Sequence, residues 1–159
     1  MAQKFILKVT PLTWVRVTAN DRIFFLIPRE KLRPSGLKRL LRIEKYNDYK
    51  LSLSAEAKRI KFQLPNIGAG ITFFLPVYKS WSNKKKKMYH GKFHMSRPDL
   101  KNLLSSFEDS LMSEDKTICH YSYLCKRWVN SETGWIEVVV KPESSIYISP
   151  PVEGDNSLV

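Results

Sequence analysis

Residues 79–115 read KSWSNKKKKMYHGKFHMSRPDLKNLLSSFEDSLMSED. The first part, 79–98, holds seven Lys or Arg and no Asp or Glu, with Trp81, Tyr89 and Phe93 set among the cations. A basic loop interleaved with aromatics suits a polyanion, whose charge the cations neutralise and on whose bases the rings stack. The second part, 99–112, places Leu100, Leu103, Leu104, Phe107 and Leu111 at three- and four-residue steps. That spacing predicts a helix with one buried stripe, with Asp99, Asn102, Ser106 and Asp109 on the other side. Asp99 follows Pro98 at the position of an N-cap, and Glu114 and Asp115 form an acidic pair just past the helix end. Cations beside carboxylates are what a site needs to hold a phosphodiester and a divalent metal together.

Outward from this stretch, 4–10 and 13–18 alternate apolar and polar residues and 22–28 is a more continuous apolar run. These predict three strands, with Asn20 and Asp21 making a hairpin turn in 18–22. Leu37, Leu40, Leu41, Ile43, Tyr46, Tyr49, Leu53, Ala57 and Ile60 predict a long amphipathic helix over 36–61, capped by Ser35 and open to a break at 52–54. Residues 64–70 read as a turn and 71–77 as a strand. Segments 117–129 and 134–140 read as two strands paired through the turn at 130–134. The expected fold class is α+β: a single domain over 1–140 with a mostly antiparallel mixed sheet and two main helices. Residues 141–159 carry Pro, Ser, Gly and acids and read as a flexible tail.

A length of 159 residues suits one domain, and a net charge of +12 points to a polyanionic partner or at least to solubility by self-repulsion. No apolar run approaches the ~18 residues that span a bilayer, which favours nucleic acid over a membrane. The segment 1–10 lacks the pattern of a secretory signal, so the expected location is cytoplasmic. Cys119 and Cys125 lie six residues apart on one predicted strand, about 20 Å. A disulfide needs Cα atoms within about 7 Å, so both are read as reduced thiols. With no CxxC pair beside them, His90, His94 and His120 are read as ordinary loop and strand histidines. Lys126 and Arg127, beside Trp128, form a second basic cluster, and Arg97 stands either to hold a phosphate or to pair with Asp109.

The run RPDLKNLLSSFEDSLMSEDKTI, 97–118, with the basic segment before it and GWIEVVV after it, resembles the signature region of the RusA-like Holliday-junction resolvases. The resemblance covers roughly 71–140. It implies a small homodimeric endonuclease, often encoded by phages and prophages, that acts on branched DNA with Mg²⁺, Mn²⁺ being an alternative. Carried over by position, it makes Asp99 and Asp115, with Glu114, the metal ligands. Lys101 stands where the family has its second aspartate, and Ser105 where it has an active-site lysine. Asp99, Asp115, Lys101 and Ser105 are thus the candidate catalytic positions. Lys79, Lys84, Lys85, Lys86, Lys87, Lys92, Arg97, Lys126 and Arg127 are the candidate DNA contacts.

Lys101 changes the local charge by +2 relative to aspartate. Unit charges ~4 Å apart interact by ~4 kcal/mol at an effective dielectric near 20. An ammonium in the site would compete with the cation, although positions i and i+2 do not share a helix face, and Asn102 or Asp109 could then supply a ligand instead. Two function classes therefore stand: a metal-dependent junction endonuclease, or a silent module that binds DNA junctions. An RNA-binding protein ranks below both, because no RNA-recognition signature is present.

Overall fold

The ten residues IGAGITFFLP, apolar or glycine at nearly every position, form the central strand of the sheet. A strand buried on both faces reads this way, without alternation. In a computed structural model, which describes residues 2–112 and 117–142, this strand is β2, Ile67–Pro76. It lies in a four-stranded sheet with β1 (Gln3–Leu7), β3 (His120–Val129) and β4 (Trp135–Val140) in the order β1-β4-β2-β3. β2 pairs antiparallel with β4 and parallel with β3, and β1 pairs antiparallel with β4. The sheet is therefore mixed and mostly antiparallel, and the α+β class expected from the sequence holds.

β3 and β4 do not form the expected hairpin. Both pair with β2, one on each side, so the chain from Asn130 to Gly134 steps over the end of β2. Gly134 explains how so short a link fits: a Cβ there would stand 2.2 Å from the Phe74 carbonyl oxygen. Only a residue without a side chain passes that close to another backbone.

Two long helices close the core. α1 runs Pro34–Arg59, unbroken through 52–54, with Pro34 in its first turn and Arg33, not Ser35, at the N-cap. Its buried residues Leu40, Ile43, Tyr46, Tyr49, Leu53 and Ala57 follow the predicted stripe. α3 runs Leu100–Leu111 and buries Leu103, Ser106 and Phe107. Phe107 meets Phe73 of β2 edge-on, ring centroids 6.0 Å apart. Ile71, Ile136, Val138 and Leu7 complete the same cluster. Ser106 is a correction: it sits in the core, not on the polar side, and its hydroxyl donates to the carbonyls of Leu12 and Leu103. Those bonds satisfy a hydroxyl that would otherwise be costly to bury.

The N-terminal region departs most from expectation. Residues 13–18 alternate like a strand yet run as an extended segment beside α3, held by the Trp14 amide on the Asn102 carbonyl (3.0 Å). Residues 22–28 are not a strand, and 18–22 is not a hairpin turn: Ala19–Phe25 winds as a 3₁₀ helix. The cause is Asp21. Its buried carboxylate accepts from the Thr18 amide and hydroxyl and from the Arg39 guanidinium, closing a capping box and tying the turn to α1. The Arg39 bonds, with the Thr18 amide next, hold the Asp21 carboxyl well below the usual carboxylate range.

The loop expected over 79–98 contains a short helix, α2, Asn83–Tyr89, whose N-cap Ser82 hydroxyl accepts from the Lys85 amide. The chain then returns along the outer edge of β3, where the amides of Gly91 and His94 bond the carbonyls of Trp128 and Lys126. This covers an edge that would otherwise present unpaired backbone, and it delivers residues 97–99 to the start of α3. Cys119 and Cys125 are free thiols. Among the described residues no helix is long and apolar enough to cross a membrane. The expected tail boundary at 140 falls beside residues 143–159, which lie outside the described residues.

Candidate nucleic-acid interface

Asp99 is the N-cap of α3 in extended geometry (φ −68°, ψ 140°), and its side chain makes no capping hydrogen bond. Its exposed carboxylate is left for other partners. Asp99 thus stands just outside the helix, and Lys101 is in its first turn. Lys101 is exposed, yet it does not line the cleft into which Asp99 opens. That cleft, about 440 Å³, is bounded by Thr13 and Trp14 of the N-terminal segment, Arg42 of α1, Arg97 and Pro98, and Asn102 of α3.

Trp14 is fixed as a wall. Its indole N–H donates to Asp109 Oδ2 (3.0 Å), and the Tyr46 hydroxyl donates to the same oxygen (3.0 Å). Burial, reinforced by that carboxylate, pushes the Tyr46 hydroxyl pKa far above its usual value, so it stays a donor. Asp109 is thereby committed to holding α1, α3 and the N-terminal segment together. It pairs with neither Arg97 nor the cleft, so Asn102 remains the second oxygen donor beside Asp99. Ser105 lies behind Trp14, in a neighbouring hollow with Glu108 and Asp109, and its hydroxyl donates to the Lys101 carbonyl (3.1 Å).

Lys126 comes to the cleft from the sheet. Its ammonium donates to the carbonyls of Ser96 and Pro98, bracing the strand of chain that carries Arg97 and Asp99. Burial lowers its pKa, and the Asp99 carboxylate works in the opposite sense. Arg127 points to the other face of the sheet, as strand alternation requires. There it donates to the Gly91 carbonyl (2.7 Å) and lies over the Phe93 ring, 4.2 Å from its centroid. The two members of the second basic cluster therefore have separate surroundings, and only Lys126 is beside Asp99.

The lysine run lies at the other end of the same edge. Trp81, Tyr89, Tyr78 and Trp128 form one aromatic cluster, with His94 stacked on Trp128 at 3.6 Å. Trp81 and Tyr89 are thus anchors for α2 rather than free rings, while Phe93 is exposed. Lys85 stands over Trp81 (4.3 Å) and Lys92 over Tyr89 (5.5 Å), cation–π contacts that give them local partners. Lys79 and Lys86 share a surface hollow with Glu132. Lys84 and Lys87, three residues apart on one helix face, project into solvent.

His90 Nδ1 accepts from the Asn130 amide as an ordinary loop histidine would, whereas the buried Nδ1 atoms of His94, stacked on Trp128, and of His120 have no hydrogen-bond partner among the described residues. Among the described residues no three His, Cys, Asp or Glu side chains gather as metal ligands would. Glu114 and Asp115, the other ligands implied by resemblance, lie outside the described residues. Arg42 and Trp14 are site residues that sequence reasoning missed. Arg42 is one of several cations along α1, and Trp14 sits in a segment that reads as a strand.

No curated protein and no solved structure matches this chain. The family model described as Endodeoxyribonuclease RusA matches residues 27–141. That span takes in α1, the whole basic edge, the cleft-forming start of α3 and three of the four strands, and the chain belongs to the RusA endodeoxyribonuclease family.

Proposed function

We propose that this chain binds branched DNA in the cytoplasm, as a homodimer, and that it cleaves the DNA weakly. The observation that carries this reading is the placement of Asp99. It is an unengaged carboxylate at a helix start, flanked in its cleft by Arg97 and Arg42, with Lys126 behind it and the α2 lysines along the same edge. Such an edge attracts a phosphate backbone over its whole length and presents one carboxylate to it.

Mg²⁺, with Mn²⁺ as its substitute, is the cofactor that membership of the family brings to this proposal. The described part of the site fits it poorly: one carboxylate and one amide oxygen share the cleft with two guanidinium groups, with Lys126 behind. Asp99 and Asn102 would hold the ion, together with Glu114 and Asp115. When bound, it would polarise a phosphoryl oxygen and lower the pKa of a bound water. The chain's own residues orient the backbone, with Arg97 placed to neutralise the phosphate and Lys126 to brace the loop that carries Asp99. Lys101 in place of a carboxylate and Ser105 in place of a lysine support weak cleavage.

The α2 lysines carry the first test. Affinity for a four-way junction is expected to fall steeply with salt, as bound cations release counterions. Changing Lys84 and Lys87 together to Ala should flatten the slope of log K against log salt by about 2 × 0.9. Lys85→Ala should do less, since its ammonium already has an aromatic partner. A slope unchanged in the double variant would place α2 off the DNA.

The homodimer follows from the substrate: a four-way junction offers two equivalent strands, which a closed two-fold assembly matches. Light scattering at micromolar concentration should give twice the chain mass. A clean monomer would remove the basis for paired action on two strands.

A further inference from the structure

Resting on the DNA-binding reading above, we infer that Arg42 of α1 is a phosphate-binding residue that, with Arg97, clamps the phosphodiester lying over Asp99. The other arginines within α1 are engaged. Arg39 is paired with Asp21, Arg59 with Glu56, and Arg29, just before the helix, with Glu44. Arg42 and Arg97 have no carboxylate within ion-pair distance among the described residues, although both line the cleft that contains Asp99. Two uncommitted guanidinium groups thus enter one cleft from different walls, one from α1 and one from the chain before α3.

The surroundings favour an anion between them. Among the described residues, two cations against one carboxylate leave the mouth of the cleft positive, and Lys126 adds to this from behind. The first amides of α3 have no intrahelical partner, and Asp99 does not cap them with its side chain. A helix start left open in this way favours phosphate. A guanidinium binds two phosphate oxygens at once in a fixed plane, so two of them set orientation as well as charge.

Arg42 also answers a gap in the site. Ser105 leaves the family's lysine position without a cation, and Trp14 separates it from the cleft. Arg42 brings a positive charge to the same cleft from the facing helix. It is the phosphate-holding group that this chain has and its signature region does not record.

The test is equilibrium binding of a fluorescently labelled four-way DNA junction. Arg42→Ala should weaken binding by at least ~10-fold at fixed salt and flatten the salt slope by about 0.9. Arg42→Lys should restore the slope but only part of the affinity, because it keeps the charge and loses the fork. Lys58→Ala, which removes an equal charge from the far end of α1, should stay within about 2-fold of wild type. Neutral methylphosphonate, placed in turn at each phosphate near the branch point, should reveal one position that weakens wild type and leaves Arg42→Ala unchanged. Arg42→Ala binding no worse than Lys58→Ala, or sharing the wild-type methylphosphonate profile, overturns the assignment. Wild type that binds no junction at all overturns the DNA-binding reading itself, and this inference falls with it.

Discussion

Changing Lys101 to Asp and Ser105 to Lys together is expected to raise Mg²⁺-dependent nicking of a four-way junction by ~10²-fold or more over wild type, the scale of one well-placed stabilising group in a polar site. The physical case rests on charge and on the start of α3. Asp99 is extended at the N-cap and Lys101 follows in the first turn, close in sequence to the cleft but not lining it. A carboxylate at 101 removes a positive charge two residues from Asp99 and offers an oxygen donor at the helix start. It also sits well at a helix start, where negative charge is favoured. Lysine at 105 would enter the hollow beside Trp14 and return a cation to that side of the site. Lys101→Asp alone should already restore a Mn²⁺-dependent rise in melting temperature, because ligand binding to the native state stabilises it. A double variant that nicks no faster than wild type would show that Lys101 and Ser105 are not what limits cleavage.

Phe107→Ala is expected to destabilise the domain by ~3–5 kcal/mol and to lower its melting temperature by about 10 °C. Phe107 has no exposure and meets Phe73 at 84°, so truncation removes both apolar burial and the edge-on ring contact between α3 and β2. The effect should reach function, since α3 is one of the two supports of Asp99, the other being the Lys126 bonds to the preceding chain. Phe93, 56% exposed, is the control, and Phe93→Ala should change stability by less than ~1 kcal/mol. Thermal unfolding by circular dichroism separates the two. Equal melting temperatures for both variants would mean that α3 does not rest on the sheet through Phe107.

The two long helices and the second half of the central strand were legible in the sequence, because the leucine and tyrosine spacing of α1 and α3 and the apolar run from Ile71 are signals set by burial; Ile67–Gly70, which read as a turn for its glycines, is the paired first part of β2. The N-terminal segments were not. Residues 13–18 and 22–28 carry strand-like patterns, but their conformation is decided by bonds from distant residues: Asn102 to Trp14, Ser106 to Leu12, Arg39 to Asp21. The pairing of β3 with β4 was misread because a turn signal marks where the chain reverses and not which strand it next meets. In the cleft, Asp99, Asn102 and Arg97 were legible through their motif. Arg42 was not, since nothing local distinguishes it from the other cations of α1. The split between Lys126 and Arg127 follows from strand periodicity alone and could have been drawn from the sequence.

The most direct measurement is incubation of the wild-type protein with a labelled four-way junction in Mg²⁺ and, separately, in Mn²⁺, reading retained complex and cut product in the same samples. The expected result is a salt-sensitive complex that forms in preference to duplex of the same length, with little product. No complex, or rapid cutting that disappears in Asp115→Asn, would contradict it.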